Sequence, residues 1–200
     1  MARKFDEFAE MMLGKCMKLQ RDGKHEDALQ CMVDLTKKMP DLGLAWYYRG
    51  LSLHNLGRYK EAIESYDKAI ELNDKDWASI SARGLSKLLS KNLDDAKKDF
   101  DKSLLINPRD VPTLVLAAVC SILKGEAIPA EAYMKEALKI DPKVAGEMYS
   151  SFINAFAEQK ELPEEGKKKL RSAIKEFNAS LDEFLSLQKK LREVKRKGKK

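Results

Sequence analysis

Apolar residues recur along most of the chain at helical spacing, and small residues stand among them at fixed places. In residues 46–73, WYYRGLSLHNLGRYKEAIESYDKAIELN, two amphipathic runs of about a dozen residues are parted by the turn dipeptide Gly57-Arg58. Gly50, Ala62 and Ala69 are the small positions; Trp46, Leu53, Tyr59 and Tyr66 are the large ones between them. Small positions let two helices approach closely, and large ones fill the space beside the contact. A helical hairpin of this size cannot bury its apolar face alone, so it needs neighbours.

A shift of 34 residues lays this pattern over itself without a gap, giving units 9–42, 43–76, 77–110 and 111–144. The small residue of the first helix runs Cys16, Gly50, Gly84, Ala118. In the second helix, Ala28, Ala62, Ala96 and Ala130 are followed by Met32, Tyr66, Phe100 and Met134, then by Leu35, Ala69, Ser103 and Ala137. Pro40, Asp74, Pro108 and Pro142 close the units, and proline stops a helix at the residue before it. Between the helices stand Gly23, Gly57, Lys91 and Gly125, three of the four suited to a left-handed helix end. The spacing predicts helices at 3–21, 24–38, 43–56, 59–72, 77–90, 93–106, 111–124 and 127–140. Residues 1–8 extend the first by about two turns.

These residues and their period resemble the tetratricopeptide repeat family, whose unit is 34 residues long. Unit 43–76 carries the closest match, through Trp46, Gly50, Gly57, Tyr59, Ala62, Tyr66 and Ala69. The family's leucine before the glycine is replaced by Lys15, Arg49, Arg83 and Ala117, and its mid-helix tyrosine by Leu19, Leu53, Lys87 and Ser121. These replacements are expected to loosen single contacts without breaking the period. The resemblance implies an all-α, right-handed α-solenoid that acts as a non-catalytic scaffold or adaptor in protein–protein interaction.

Beyond Val144 the pattern wears. Residues 145–159 carry Met148, Phe152, Ile153 and Phe156, and Gly166, Leu170 and Ala173 keep the small–large–small spacing, so 145–177 reads as a degenerate capping hairpin. From Pro163 to about Lys197 the helical pattern continues. At 1.5 Å per residue that helix is roughly 50 Å long, against roughly 24 Å for its partner. Residues 178–200 therefore overhang, although Leu181, Phe184, Leu185, Leu191 and Val194 prolong an apolar stripe that something should cover.

The resemblance also implies where a ligand would sit: along the wall of first helices. Those positions here include Tyr47, Tyr48, Leu51, His54, Asn55, Leu85, Leu88, Leu89, Val115, Val119 and Ile122. The wall is apolar from the third unit on, with Asn55 and His54 at its polar rim. It suits an amphipathic helix or an apolar peptide. Helix 111–123 is apolar all round, which predicts burial on every side. The chain's own C-terminal helix, or a second copy pairing through that helix, could equally fill the wall. Some family members hold peptide carboxylates with a clamp of lysine, asparagine and arginine. The matching places here are Leu13, Met17, Tyr48, Ala78 and Ala82, or one unit on Tyr47, Leu51, Ala82, Pro112 and Leu116, so the clamp is not expected.

Charge shifts the picture only at one end. Residues 189–200 hold eight basic residues against one acid, net +7, which leaves −1 for residues 1–188 of the overall +6. Lys189, Lys190, Arg192, Lys195, Arg196 and Lys197 could meet RNA, a ribosome or an anionic membrane surface, an alternative reading of the chain's function. The bland counterpart is a solvated helix end whose cations suit the helix dipole. A third reading is a self-associating structural protein. Cys16, Cys31 and Cys120 are odd in number and far apart, with no CxxC or Cys/His cluster, and are expected as buried free thiols in a reducing cytoplasm. No metal-ligand spacing or phosphate loop occurs, His25 and His54 lack a local catalytic partner, and neither catalysis nor a cofactor is expected. The longest uncharged run, 111–123, is too short to span a bilayer.

Overall fold

A computed structural model of the chain describes residues 2–157, together with scattered helical positions between 172 and 190. Nine α-helices are seen among the described residues and no strand: α1 Ala2–Arg21, α2 His25–Lys38, α3 Gly43–Asn55, α4 Tyr59–Leu72, α5 Trp77–Leu89, α6 Leu93–Ile106, α7 Val111–Leu123, α8 Ala127–Ile140 and α9 Pro142–Ala157. The all-α class and the helical hairpins expected from the 34-residue period are present. The chain divides into two compact units, Met1–Pro108 and Arg109–Lys200.

The first unit holds three hairpins. Their helix ends follow from local chemistry. Asp76 and Asn92 cap α5 and α6 by accepting from the backbone N–H of Ser79 and Asp95, each at 3.3 Å. Gly23 and Gly57 end α1 and α3 at φ of +72° and +73°. Lys91 takes the same left-handed conformation after α5, at φ +66°, where a side chain is strained.

Each hairpin closes on the small–large pair. A Cβ added at Gly50 would lie 2.6 Å from the Tyr66 ring, and one at Gly84 would lie 2.8 Å from Phe100. Tyr66 and Phe100 are fully buried. The third such pair, Cys16 with Met32, keeps a side chain at the small position because methionine bends aside where an aromatic ring cannot. Successive hairpins then stack, α2 on α3 and α4 on α5. The first helices of neighbouring hairpins also touch, α1 with α3 and α3 with α5. Among the described residues no such approach joins α2 to α4 or α4 to α6. Helices drawn together on one side and splayed on the other curve this unit, with its first helices on the inner side.

Two rungs tie those inner helices. Ser52 Oγ donates to Gln20 Oε1 at 2.8 Å, and 34 residues on, His54 Nδ1 lies 2.8 Å from Ser86 Oγ. On the outer side Arg83 bridges the splayed helices. Its Nη1 meets Asp67 Oδ1 of α4 at 2.6 Å, and its Nε and Nη2 take both Asp99 oxygens of α6 at 2.8 and 2.6 Å. Lys87 Nζ adds a further contact to Asp99, at 2.8 Å. Arginine before the glycine was expected to loosen packing; Arg83 instead ties two helices that do not approach each other directly among the described residues.

The described part of the second unit is α7–α9. Asp110 caps α7 by accepting from Thr113 N at 2.9 Å, with Pro112 in the first turn. Eleven of the thirteen α7 residues are buried, as an all-round apolar helix requires, and α8 and α9 both pack on it. Helix α9 begins at Pro142 rather than 145, because Asp141 Oδ1 accepts from the N–H groups of Lys143 and Val144. Its inward stripe is Ala145, Tyr149 and Ile153, so Met148 and Phe152 lie to the side, half-buried. The rest of the expected hairpin 145–177 and the overhang 178–200 lie, apart from scattered positions, outside the described residues.

The cysteine expectation is corrected. Cys16 and Cys31 form a disulfide, with Cα atoms 5.5 Å apart, and only Cys120 is free, buried in α7. Spacing along the chain was a poor guide. The repeat register was a better one, because positions 16 and 31 correspond to Gly84 and Asp99, which lie directly opposite each other across their hairpin.

Two stability outcomes follow. Gly50→Ala should cost roughly 1–3 kcal/mol by overpacking against Tyr66, and adding Tyr66→Met should recover much of that loss. Guanidinium midpoints of both singles and the double measure this coupling. Lys91→Gly should raise stability by about 1 kcal/mol through relief of its positive φ, read from the same denaturation curves.

Candidate functional site

The inner wall of the first unit is built by one face each of α1, α3 and α5. Helical periodicity sets that face beside the packing face, so its residues are partly covered from behind and partly open in front. Leu13 and Met17 of α1 are half-buried and rest on the core of the first hairpin. Tyr47, Tyr48 and Leu51 of α3, with Leu85 and Leu89 of α5, are likewise half-buried. The two tyrosine rings meet edge to face with centroids 5.1 Å apart. Tyr47 also leans on Tyr66, at 6.0 Å, so the small–large contact behind the wall holds the ring in front of it. What results is a fixed apolar surface with two phenol groups.

Four of the expected wall residues are buried. Leu88 is 1% exposed, and Val115, Val119 and Ile122 are 0%, 0% and 8% exposed. Leu88 faces into the packing of its unit because the leucine run Leu85–Leu88–Leu89 wraps past the open face, at the usual 100° per residue. Val115, Val119 and Ile122 belong to a helix with no polar side to turn outward. Whether the C-terminal helix supplies their cover falls outside the described residues.

The polar rim is also rearranged. Asn55 is exposed at the end of α3. His54 is half-buried, bonded to Ser86 and edge-on to Tyr59 with centroids 5.4 Å apart. It serves the joint between hairpins before any ligand. Burial holds its pKa below the ordinary histidine value. Sequence reasoning missed Ser52 and Ser86, the buried partners in these rungs. Their shared register, 34 residues apart like Gln20 and His54, was the available signal.

The two frames for a carboxylate clamp place apolar or uncharged residues, as the sequence requires. Among the described residues no cluster of three or more metal-ligating side chains is found, and no helix is long and apolar enough to cross a membrane. Of the basic tail, Lys190 is helical and exposed; Lys189, Arg192, Lys195, Arg196 and Lys197 lie outside the described residues.

Comparison with known proteins gives one unit its name. The profile of the tetratricopeptide repeat matches residues 43–76, the same frame as the second unit of the sequence period. The small glutamine-rich tetratricopeptide repeat-containing protein 2 of Mycosarcoma maydis is 33% identical over 79 residues. That match takes in 37% of this chain, which spans only 22% of the relative's length. Among solved structures, MamA (residues 41 to the end) from Desulfovibrio magneticus RS-1 superimposes with a TM-score of 0.62 at 18% identity, covering 86% of this chain and 93% of that one. The second TPR domain of human RPAP3, in complex with the HSP70 peptide SGPTIEEVD, superimposes with a TM-score of 0.54 at 20% identity, covering 56% of this chain and 98% of that one. At these identities the structural likeness establishes the fold.

His54 makes the first unit sensitive to acid. Its folded-state pKa lies below the unfolded value, so its share of stability is intact above pH about 6.5 and is lost as the pH falls toward the folded-state value. Denaturation midpoints should therefore drop between pH 7.5 and 5 by more in the wild type than in His54→Gln, which keeps a polar partner for Ser86 but does not titrate. Equal slopes in the two proteins would place the acid sensitivity elsewhere.

Proposed function

We propose that this tetratricopeptide-repeat chain is a non-catalytic docking protein that takes an apolar or amphipathic peptide segment on the inner wall of its first unit. The observation that carries the reading is the set Tyr47, Tyr48, Leu51, Leu85 and Leu89. These side chains are partly open, fixed from behind by Tyr66 and the hairpin cores, and unoccupied by other described side chains over part of their surface. A preformed apolar face loses little ordering entropy when it binds, and rigid tyrosines contribute large area with a polar tip. Leu13 and Met17 extend the face onto α1.

The chemistry distinguishes this wall from a carboxylate-binding one. A clamp needs converging cations, because a peptide carboxylate brought onto an apolar wall leaves its charge desolvated. Arg83 and Lys87 are already paired with Asp67 and Asp99 on the outer side. The RPAP3 domain was solved with a peptide ending in EEVD; the wall described here favours leucine-, phenylalanine- or methionine-bearing segments instead. The basic tail remains a second point of attachment, with its own salt dependence.

A displayed peptide library selected on the full-length chain tests the reading. Enriched sequences should be amphipathic with apolar anchors at helical spacing, or extended with alternating apolar residues. Leu51→Glu with Leu85→Glu should weaken the selected peptides by about tenfold or more, a loss on the order of 1.4 kcal/mol, while circular dichroism stays that of the wild type. Selection of acidic C-terminal peptides, or binding unaffected by the double substitution, would sink the proposal.

A further inference from the structure

The first hairpin carries a covalent bond that its sister hairpins lack. Cys16 of α1 and Cys31 of α2 are joined, and the corresponding pairs in the other units are Gly50 with Ser65, Gly84 with Asp99, and Ala118 with Tyr133. The fold of a hairpin therefore does not depend on the bond. Met32 and Leu35 of α2, with Met39 just beyond it, pack with Phe8, Met12 and Leu13 of α1 and supply an apolar core with or without it.

The bond holds a helix that has few neighbours among the described residues. Among the described helices, α1 rests on α2 and touches α3. It is open at Met11, which is 63% exposed, and at Gly14, where a Cβ would meet nothing within 4 Å. Gly14 inside the helix also weakens it, by about 1 kcal/mol relative to alanine. A crosslink between α1 and α2 thus adds to a small set of other restraints on α1.

The two cysteines differ in access. Cys16 is fully buried and Cys31 is half-buried on α2. An incoming thiolate reaches the Cys31 sulfur, forms a mixed disulfide there and expels Cys16 as a thiolate that takes a proton. A second thiolate then attacks the mixed disulfide and releases the Cys31 thiol. Two electrons and two protons pass from two small thiols to the protein, and the small thiols leave as their disulfide.

We propose that Cys16–Cys31 is a reversible redox latch that sets how firmly α1 is held in the first unit. Its consequence for binding rests on the wall reading above, since α1 brings Leu13 and Met17 to that wall. In the oxidised chain α1 is pinned and the wall is complete; in the reduced chain α1 opens locally while α3–α6 stay folded.

The experiment uses the full-length chain, equilibrated in a graded series of reduced to oxidised glutathione, with no peptide present. Thiol counts by mass spectrometry follow the bond, and amide hydrogen exchange follows each helix. The expected result is reversible opening of the bond within the series. Exchange in α1 should then rise on the order of tenfold or more on reduction, with α4 and α5 unchanged. Cys16→Ala with Cys31→Ser, residues found at corresponding positions of the other units, should behave as the reduced chain in every buffer. Cys16→Ala alone should take up glutathione at Cys31. A bond that survives the most reducing buffer in the folded chain overturns the proposal. So does α1 exchange independent of its state, or loss of the whole fold on reduction. Because no ligand enters the measurement, a failed peptide selection would leave the latch standing, and a failed latch would leave the wall intact.

Discussion

The contact of a glycine backbone with an aromatic ring, Gly50 on Tyr66 and Gly84 on Phe100, fixes the distance between the helices of a hairpin, and almost everything else in the first unit is set by that distance. Once two helices approach so closely, their remaining apolar faces cannot be covered within the hairpin, and stacking becomes obligatory. Stacking then brings α1, α3 and α5 side by side, and their shared face becomes the wall. The ring of Tyr47 leans on Tyr66, so the residue that spaces the hairpin also steadies the proposed binding surface. Structure and candidate function here share one contact.

The wall and the joints draw on the same helices but on different positions. Gln20 with Ser52, and His54 with Ser86, spend polar side chains on holding successive hairpins in register. Five half-buried apolar residues are left to face outward. Buried hydroxyls without partners would weaken the unit, so each serine has one on the neighbouring hairpin. This division explains why His54, which looked like a rim residue, is better understood as part of a joint. It also explains why Leu88, one turn beyond Leu85 but on the packing side, is inside.

Much of this was legible before any coordinates. The 34-residue period located eight helices to within a residue or so at each end, and the repeat frame 43–76 coincides with the family match. The positive φ at Lys91 follows from its column, otherwise glycine. The misses have physical causes. A wall position was inferred from helical phase alone, and phase cannot tell a half-open leucine from a buried one when neighbouring residues are also apolar, as in Leu85–Leu89 and throughout α7. The start of α9 depended on Asp141 turning back to its own backbone, a short-range choice with several alternatives. The Cys16–Cys31 bond was hidden because its residues are 15 apart along the chain yet face each other across the hairpin. Arg83 misled for a related reason: its two carboxylate partners are 16 residues away on either side, in different helices.

The Arg83 bridge also makes the two joints of the first unit mechanically unlike. Between α4 and α6 the arginine grips a carboxylate on each side. At the corresponding place between α2 and α4, Arg49 faces Val33 and Ser65 in register and lies over the Trp46 ring instead, 5.0 Å from its centroid. One outer joint thus has a charged clasp, while at the other the arginine stacks within its own helix. Under tension along the stack, the compliance of this short spring would be concentrated at its first coil.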